Sequence, residues 1–150
     1  MFTCSCIQWE LANLETPIFV RGGIVKGKLY SDGNIIFGTG LTKAYLMEEA
    51  NAKVPRIILT NDILLPLRTP ESRNGKNTVE RLAFRDTDGF WVIDYFTRIN
   101  FYKPQLNLRD RLISYAEKII DTEIDTSIRE KYLYVLHNIY LAYNRNVNNS

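Results

Sequence analysis

Apolar residues recur along this chain with two periods, and the switches between them mark out its elements. Residues 5–15 place Ile7, Leu11 and Leu14 at i, i+4 and i+7 beside Trp9. That spacing predicts an amphipathic helix, which Thr16-Pro17 ends. Residues 18–30 then read as one strand, apolar on both sides at its start as an internal strand would be, and a turn at Ser31-Asp32-Gly33-Asn34 returns the chain as Ile35-Ile36-Phe37. After the break at Gly38-Thr39-Gly40, Leu41, Ala44, Tyr45, Met47 and Glu48 follow at helical spacing. Pro55 resets the backbone for a strand at Arg56-Ile57-Ile58-Leu59.

The second half repeats the logic. Residues 64–78, with two prolines and Asn74-Gly75, read as a long exposed loop. Leu82 to Arg85 and Phe90 to Phe96 read as strands joined by a turn at Asp86-Thr87-Asp88-Gly89. From Leu106 onward the period is helical: Leu108, Leu112, Tyr115 and Ile119 in one helix, then Ile128, Tyr132, Val135, Ile139 and Tyr143 in a second, capped by Asp125-Thr126-Ser127. The Asn-rich tail, Asn144 to Ser150, is expected to fray.

Composition changes this picture little. A chain of 150 residues with 45% hydrophobic and 24% charged residues has ordinary globular values and the length of one domain. The net charge is +2 and the basic residues are scattered, so there is no electrostatic case for nucleic-acid binding. No run approaches the ~18 apolar residues that span a bilayer, so no membrane partner is expected. Cys4 and Cys6, too close to bridge on a strand or a helix, read as two free thiols, and a cytoplasmic location is expected.

Candidate chemistry is sparse. Gly22, Gly23 and Gly27 weaken a strand unless a bulge, close packing or an approaching ligand requires them. Lys26 and Lys28 share a face, either a solvated edge or a weak phosphate-attracting patch. Amides at the helix that Gly38-Thr39-Gly40 opens can receive an anion, although the spacing matches no phosphate-loop fingerprint. Asp86, Asp88 and Asp94 do not match a calcium loop, and turn chemistry accounts for the first two. His137, the only histidine, lies off the apolar stripe of its helix and reads as an ordinary helix residue. The tyrosines at 132, 134, 140 and 143 spread too widely for one packing face; they fit either packing on the sheet or a partner surface.

Four segments in order carry a resemblance: Arg21-Gly22-Gly23-Ile24 with Gly27, the helix pattern Leu41, Ala44, Glu48, the Pro55-Arg56-Ile57 that opens a strand, and Asp86-x-Asp88-Gly89-Phe90-x-x-Ile93-Asp94-Tyr95. Together they resemble the second half of the catalytic domain of class III nucleotide cyclases, and more closely the bacterial cyclase-like proteins that include the pyrimidine cyclases of Pycsar anti-phage systems. The resemblance implies an α+β fold, a partial ferredoxin-like and mainly antiparallel sheet with packed helices and a C-terminal helical pair. Residues 1–100 would be an incomplete cyclase-like domain and residues 101–150 a helical extension packed on it. Residues 18–60 would give two neighbouring antiparallel strands, a helix across them and a further strand in the same sheet.

In the complete family the reaction turns a nucleoside triphosphate into a cyclic mononucleotide and pyrophosphate, using Mg²⁺ or Mn²⁺. The strands that carry the metal aspartates there would precede this chain, so the resemblance implies no complete catalytic set, no metal ligands and no activity of this chain alone. The nucleotide-binding candidates it implies are Ile35 at the base-reading position, Phe37 on the same strand, Thr42 where the family has a ribose-orienting Asn, and Lys43 beside it. Leu46 stands where the family has an Arg that steadies the phosphate. The implied partners are a nucleoside triphosphate, once the missing segment is supplied, and a second copy or a homologue. The alternative is a non-catalytic pseudo-cyclase that serves as an interaction or dimerisation module.

Overall fold

The computed structural model describes residues 1–68, 79, 82–103 and 106–147. The fold is α+β, and the chain gathers into two compact units: Val20–Ile93 with Met1, and Phe2–Phe19 with Asp94–Ser150. The boundary expected at residue 100 falls inside a helix, Phe96–Phe101.

The first unit contains β1 (Gly22–Ile24), β2 (Tyr30–Asp32), β3 (Ile35–Phe37), α2 (Thr39–Asn51), β4 (Ile57–Leu59), α3 (Asn61–Leu64), a 3-10 turn (Leu65–Arg68), β5 (Ala83–Arg85) and β6 (Trp91–Ile93); α1 belongs to the second unit. Four strands form a mainly antiparallel sheet in the order β1-β4-β6-β5. Among the described residues only β1 and β4 run parallel, with Gly23 opposite Ile58. Its interior strands carry the core, where Ala52, Ile58 and Val92 are buried against Met47, Phe84 and Phe90. The β5–β6 hairpin forms as its Asp-Gly turn predicts, with Gly89 at φ 88° closing it.

Residues 18–30 are not one internal strand. β1 lies at the end of the sheet order, and β2 leaves it to pair with β3 in a separate two-stranded sheet. The reason is a backbone crossing: a Cβ on Gly27 would collide with Gly40, and one on Gly38 with Lys28. The Gly40 amide donates to the Lys28 carbonyl at 2.9 Å, so residues 25–29 pass over the start of α2 and no strand continues there. The hairpin at residues 30–37 is therefore present, but the further strand, β4, joins β1 and not the hairpin.

The second unit is helical: α1 (Phe2–Ala12), α4 (Phe96–Phe101), α5 (Leu108–Thr122) and α6 (Thr126–Val147). α1 starts and ends three residues earlier than its apolar spacing predicts, and it buries Ser5, Gln8, Trp9 and Ala12. Ile7 and Leu14 are exposed. Helix α4 replaces the end of the strand expected to reach Phe96. Asp94 accepts bonds from the Thr97 amide at 2.9 Å and the Thr97 hydroxyl at 2.8 Å, which turns the chain into a helix right after β6. Asn100 ties α4 to α6 by donating to the carbonyls of Phe96 and Ile139, at 3.0 and 2.9 Å.

The last two helices follow the sequence. α5 buries Leu108, Leu112 and Ala116, and α6 buries Val135, Asn138, Ile139 and Ala142. Asp125 caps α6 by accepting from the Ser127 amide at 2.8 Å. The helix runs through Asn144 to Val147 instead of fraying there. Of the expected loop at 64–78, the start is α3 and the 3-10 turn, while residues 69–78 lie outside the described residues, as do 148–150.

Candidate functional site

The parallel pair β1 and β4, with α2 between them in sequence, ends in an open cleft of about 360 Å³. Crevices beyond the carboxyl ends of neighbouring parallel strands are recurrent ligand positions, because the chain parts there to leave in different directions. Val25 and Lys26 enter it from the end of β1, Thr60 and Asp62 from the end of β4, and Lys43, Leu46 and Met47 from one face of α2. The spacing 43, 46, 47 is i, i+3, i+4, which places three side chains of one helix over one spot.

Glycine sets how closely α2 approaches. A Cβ on Gly23 would sit 3.1 Å from the Met47 side chain and 3.2 Å from the Ala44 carbonyl, so a larger residue in β1 would push the helix away. Arg21 pairs with Glu48 and donates to the Ala52 carbonyl at 3.5 Å, fixing the far end of the helix to the start of β1. Thr60 donates its amide to the Ile24 carbonyl at 3.3 Å, which keeps the two strand ends side by side.

The cleft joins an apolar floor, Val25, Leu46 and Met47, to a polar rim of two ammonium groups, a hydroxyl and a carboxylate. The Thr60 side chain, with a smaller contribution from Lys43, holds the Asp62 carboxyl below the usual carboxylate range. Lys26 and Lys43 against Asp62 leave one net positive charge at the rim, so the arrangement can hold an anion that carries an apolar or aromatic body.

Of the four candidates from the sequence, only Lys43 lines this cleft. Thr42 is exposed and donates its hydroxyl to the Gly38 carbonyl at 3.4 Å. Ile35 and Phe37 lie on the exposed two-stranded ribbon, where Phe37 packs on Tyr30 with ring centroids 4.8 Å apart. Leu46 does line the cleft, and so do Thr60 and Asp62, which sequence reasoning passed over. Their signal was slight: a polar Thr-Asn-Asp run directly after an apolar strand. No protein-family model matches this chain, and no curated protein or solved structure matches it either.

The acidic turn does a different job. Arg56, buried on β4's approach, donates to Asp86 at 2.7 Å, to Asp88 at 2.5 Å and to the Asn51 carbonyl at 2.7 Å. It also lies 5.9 Å from the centre of the Phe90 ring. Burial works against the Asp88 carboxylate, but the Arg56 hydrogen bond and the Phe90 amide outweigh it and hold its pKa below the ordinary value. Turn bonds are present as well, from the Thr87 amide to Asp86 at 2.8 Å and from the Phe90 amide to Asp88 at 3.2 Å. Asp94 caps α4 and lies 3.5 Å from Arg145.

The remaining candidates of the second unit have structural places. Tyr132 meets Tyr115 and Phe19, Tyr134 meets Phe96, and Tyr143 stacks on Phe101 with its other neighbour Arg109 at 4.2 Å. Tyr140 and His137 are exposed. Cys4 and Cys6 are free thiols. Among the described residues no group of three or more His, Cys, Asp or Glu comes together, and no helix is long and apolar enough to cross a membrane.

Proposed function

We propose that the Val20–Ile93 unit is a cyclase-like module that binds a nucleotide-sized anion in the Lys26/Lys43 cleft without turning it over. The observation that carries this reading is the meeting, in one crevice, of two lysines and an apolar floor at the ends of two parallel strands. A nucleotide needs both parts: cationic donors for phosphate and an apolar surface for the base.

Turnover is what the same residues argue against. Leu46 presents an apolar side chain to the cleft at the helix position where a cyclase steadies phosphate charge, and Thr42 spends its hydroxyl on Gly38. Loss of one preorganised donor at a transition state costs about 3 kcal/mol, roughly a hundredfold in rate, while ground-state attraction to two lysines survives. The carboxylates do not fit a divalent-metal pair. Asp86 and Asp88 hold Arg56, Asp94 caps α4, and among the described residues Asp62 is the one carboxylate lining the cleft. A place in anti-phage signalling belongs to the same resemblance, as a binder rather than a maker of nucleotides.

The test offers the purified chain each of the four nucleoside triphosphates with Mn²⁺, measuring binding by displacement of a fluorescent nucleotide and products by mass spectrometry. Binding weakened at least tenfold in Lys26→Ala/Lys43→Ala, with no cyclic product, is expected. Robust cyclic product would overturn the non-catalytic part, and failure to bind any of the four would overturn the nucleotide reading.

A further inference from the structure

A carboxylate on the rim of a cleft that attracts anions needs a reason. Asp62 shares that rim with Lys26 and Lys43. The Thr60 side chain first, then the amides of residues 62 and 63, keep it ionised in the first turn of α3. None of this uses up its charge, and among the described residues no ion pair engages it. An ionised carboxylate only accepts hydrogen bonds. It repels a phosphate, so the part of a ligand that meets Asp62 brings hydroxyl or amino protons while the anion lies with the lysines.

Thr60 adds a second acceptor beside the first. Its amide and its hydroxyl both point to the Ile24 carbonyl, at 3.3 and 3.4 Å, which fixes the half-buried side chain at the end of β4. A hydroxyl that donates back into the protein, to Ile24 or to Asp62, turns its lone pairs to the ligand. Residues 60 and 62 thus set two acceptors close together on one side of the cleft. Two donors on neighbouring atoms match them, and in a nucleotide these are the 2′- and 3′-hydroxyls of ribose. We infer, on the nucleotide reading of the cleft, that Asp62 and Thr60 determine sugar specificity by receiving the ribose diol, so that the ligand is a ribonucleotide and not its 2′-deoxy form. The order of parts agrees: ribose joins phosphate to base, and the acceptor pair shares a rim with the lysines above the apolar floor. Acidic side chains at the carboxyl ends of parallel strands hold ribose hydroxyls in other folds, and a site built around a hydroxyl rejects the analogue that lacks it.

Isothermal titration calorimetry of the full chain, with each of the four ribonucleoside triphosphates and its 2′-deoxy counterpart, tests the assignment. EDTA keeps any metal from bridging Asp62 to phosphate. The ribose form should bind about tenfold more tightly or better, as a hydrogen bond to a charged group implies. Asp62→Ala should weaken the ribose form about tenfold and leave the deoxy form as tight or tighter, because the repulsion goes with the carboxylate. A role in charge alone would move both sugars the same way. Asp62→Asn, which keeps one acceptor, should retain part of the preference. Asp62 is exposed, so both variants should keep the far-UV circular dichroism of the parent. Three results would overturn the sugar assignment and leave the cleft a nucleotide site: lysine-dependent binding with no sugar preference, a preference that survives Asp62→Ala, or a loss confined to bases with an exocyclic amino group and equal for both sugars. Failure of all eight nucleotides to bind would overturn both.

Discussion

Removing the Asp86 carboxylate should cost the first unit a large part of its stability, and removing the neighbouring Asp88 carboxylate should cost little. Both pair with Arg56, at 2.7 and 2.5 Å, so distance alone does not rank them. Burial does: the Arg56 and Asp86 side chains are 8% and 4% exposed, while Asp88 is 41% exposed. Asp86→Asn takes away the buried counter-charge and leaves the guanidinium only the water-exposed Asp88; breaking a buried pair typically costs about 3–5 kcal/mol, of which Asp88 offsets a part, whereas an ion pair screened by water is worth about 0–1 kcal/mol. A unit of about 70 residues has roughly 4–10 kcal/mol in all, so the first variant should be close to unfolding. The assay is urea unfolding of the full chain in a Trp9→Phe background, where Trp91, paired with Leu59 and Arg85 in the sheet, reports on this unit. Arg56→Met combined with Asp86→Leu removes both charges together and should cost less than the sum of its single variants by about 2 kcal/mol or more. Equal losses for Asp86→Asn and Asp88→Asn, or additive behaviour of the double variant, would refute the claim that burial decides.

Two further outcomes follow from the same geometry. Asp88 and Asp125 have carboxyls held below their ordinary value of 3.8, the first against the cost of burial by its bonds from Arg56 and Phe90, the second by the Ser127 side chain and amide. A depressed folded-state pKa stabilises above the unfolded value and is lost as pH falls through the folded one. Thermal stability should therefore be flat above about pH 5 and drop below about pH 4, with a shallower drop in Asp88→Asn and Asp125→Asn. Gly27→Ala should destabilise by about 3 kcal/mol or more, because its Cβ meets backbone that cannot move aside, and should disturb the cleft with it. Gly33→Ala, at φ 55° with nothing nearby, should cost only about 1–2 kcal/mol, and differential scanning calorimetry separates the two.

How much of this was legible depended on whether the deciding contact was local. The β5–β6 hairpin, the start of α2 and the α5 and α6 helices were readable, because a turn dipeptide, a glycine break and a 3.6-residue period act within a few residues. The Arg56 clamp was not: its partners lie 30 and 32 positions away, and turn chemistry already explained the aspartates. Helix α1 misled because its polar residues, Thr3, Ser5, Gln8 and Glu10, are spread around it, so period alone could not choose between the Ile7 face and the Trp9 face; packing chose Ser5, Gln8, Trp9 and Ala12. Strand β6 ends at Ile93 for a reason that was visible. Asp94 three residues before Thr97 is a helix-start signal, and it competes with the apolar run that continues to Phe96.

The division of residues 18–30 has consequences for the cleft and for the ribbon. Had the chain continued as one strand, Lys26 and Lys28 would have shared one face of it, and Ile35 to Phe37 would have paired into the main sheet. Instead the Gly27, Gly38 and Gly40 backbones touch, and the Gly40 amide binds the Lys28 carbonyl. That crossing ends β1 in time for Lys26 to line the cleft with Lys43, and among the described residues β2 and β3 pair only with each other. It also occupies an amide of the first turn of α2, which removes that donor from any anion at the helix start. Three glycines therefore set both where β1 ends and where the β2–β3 ribbon begins.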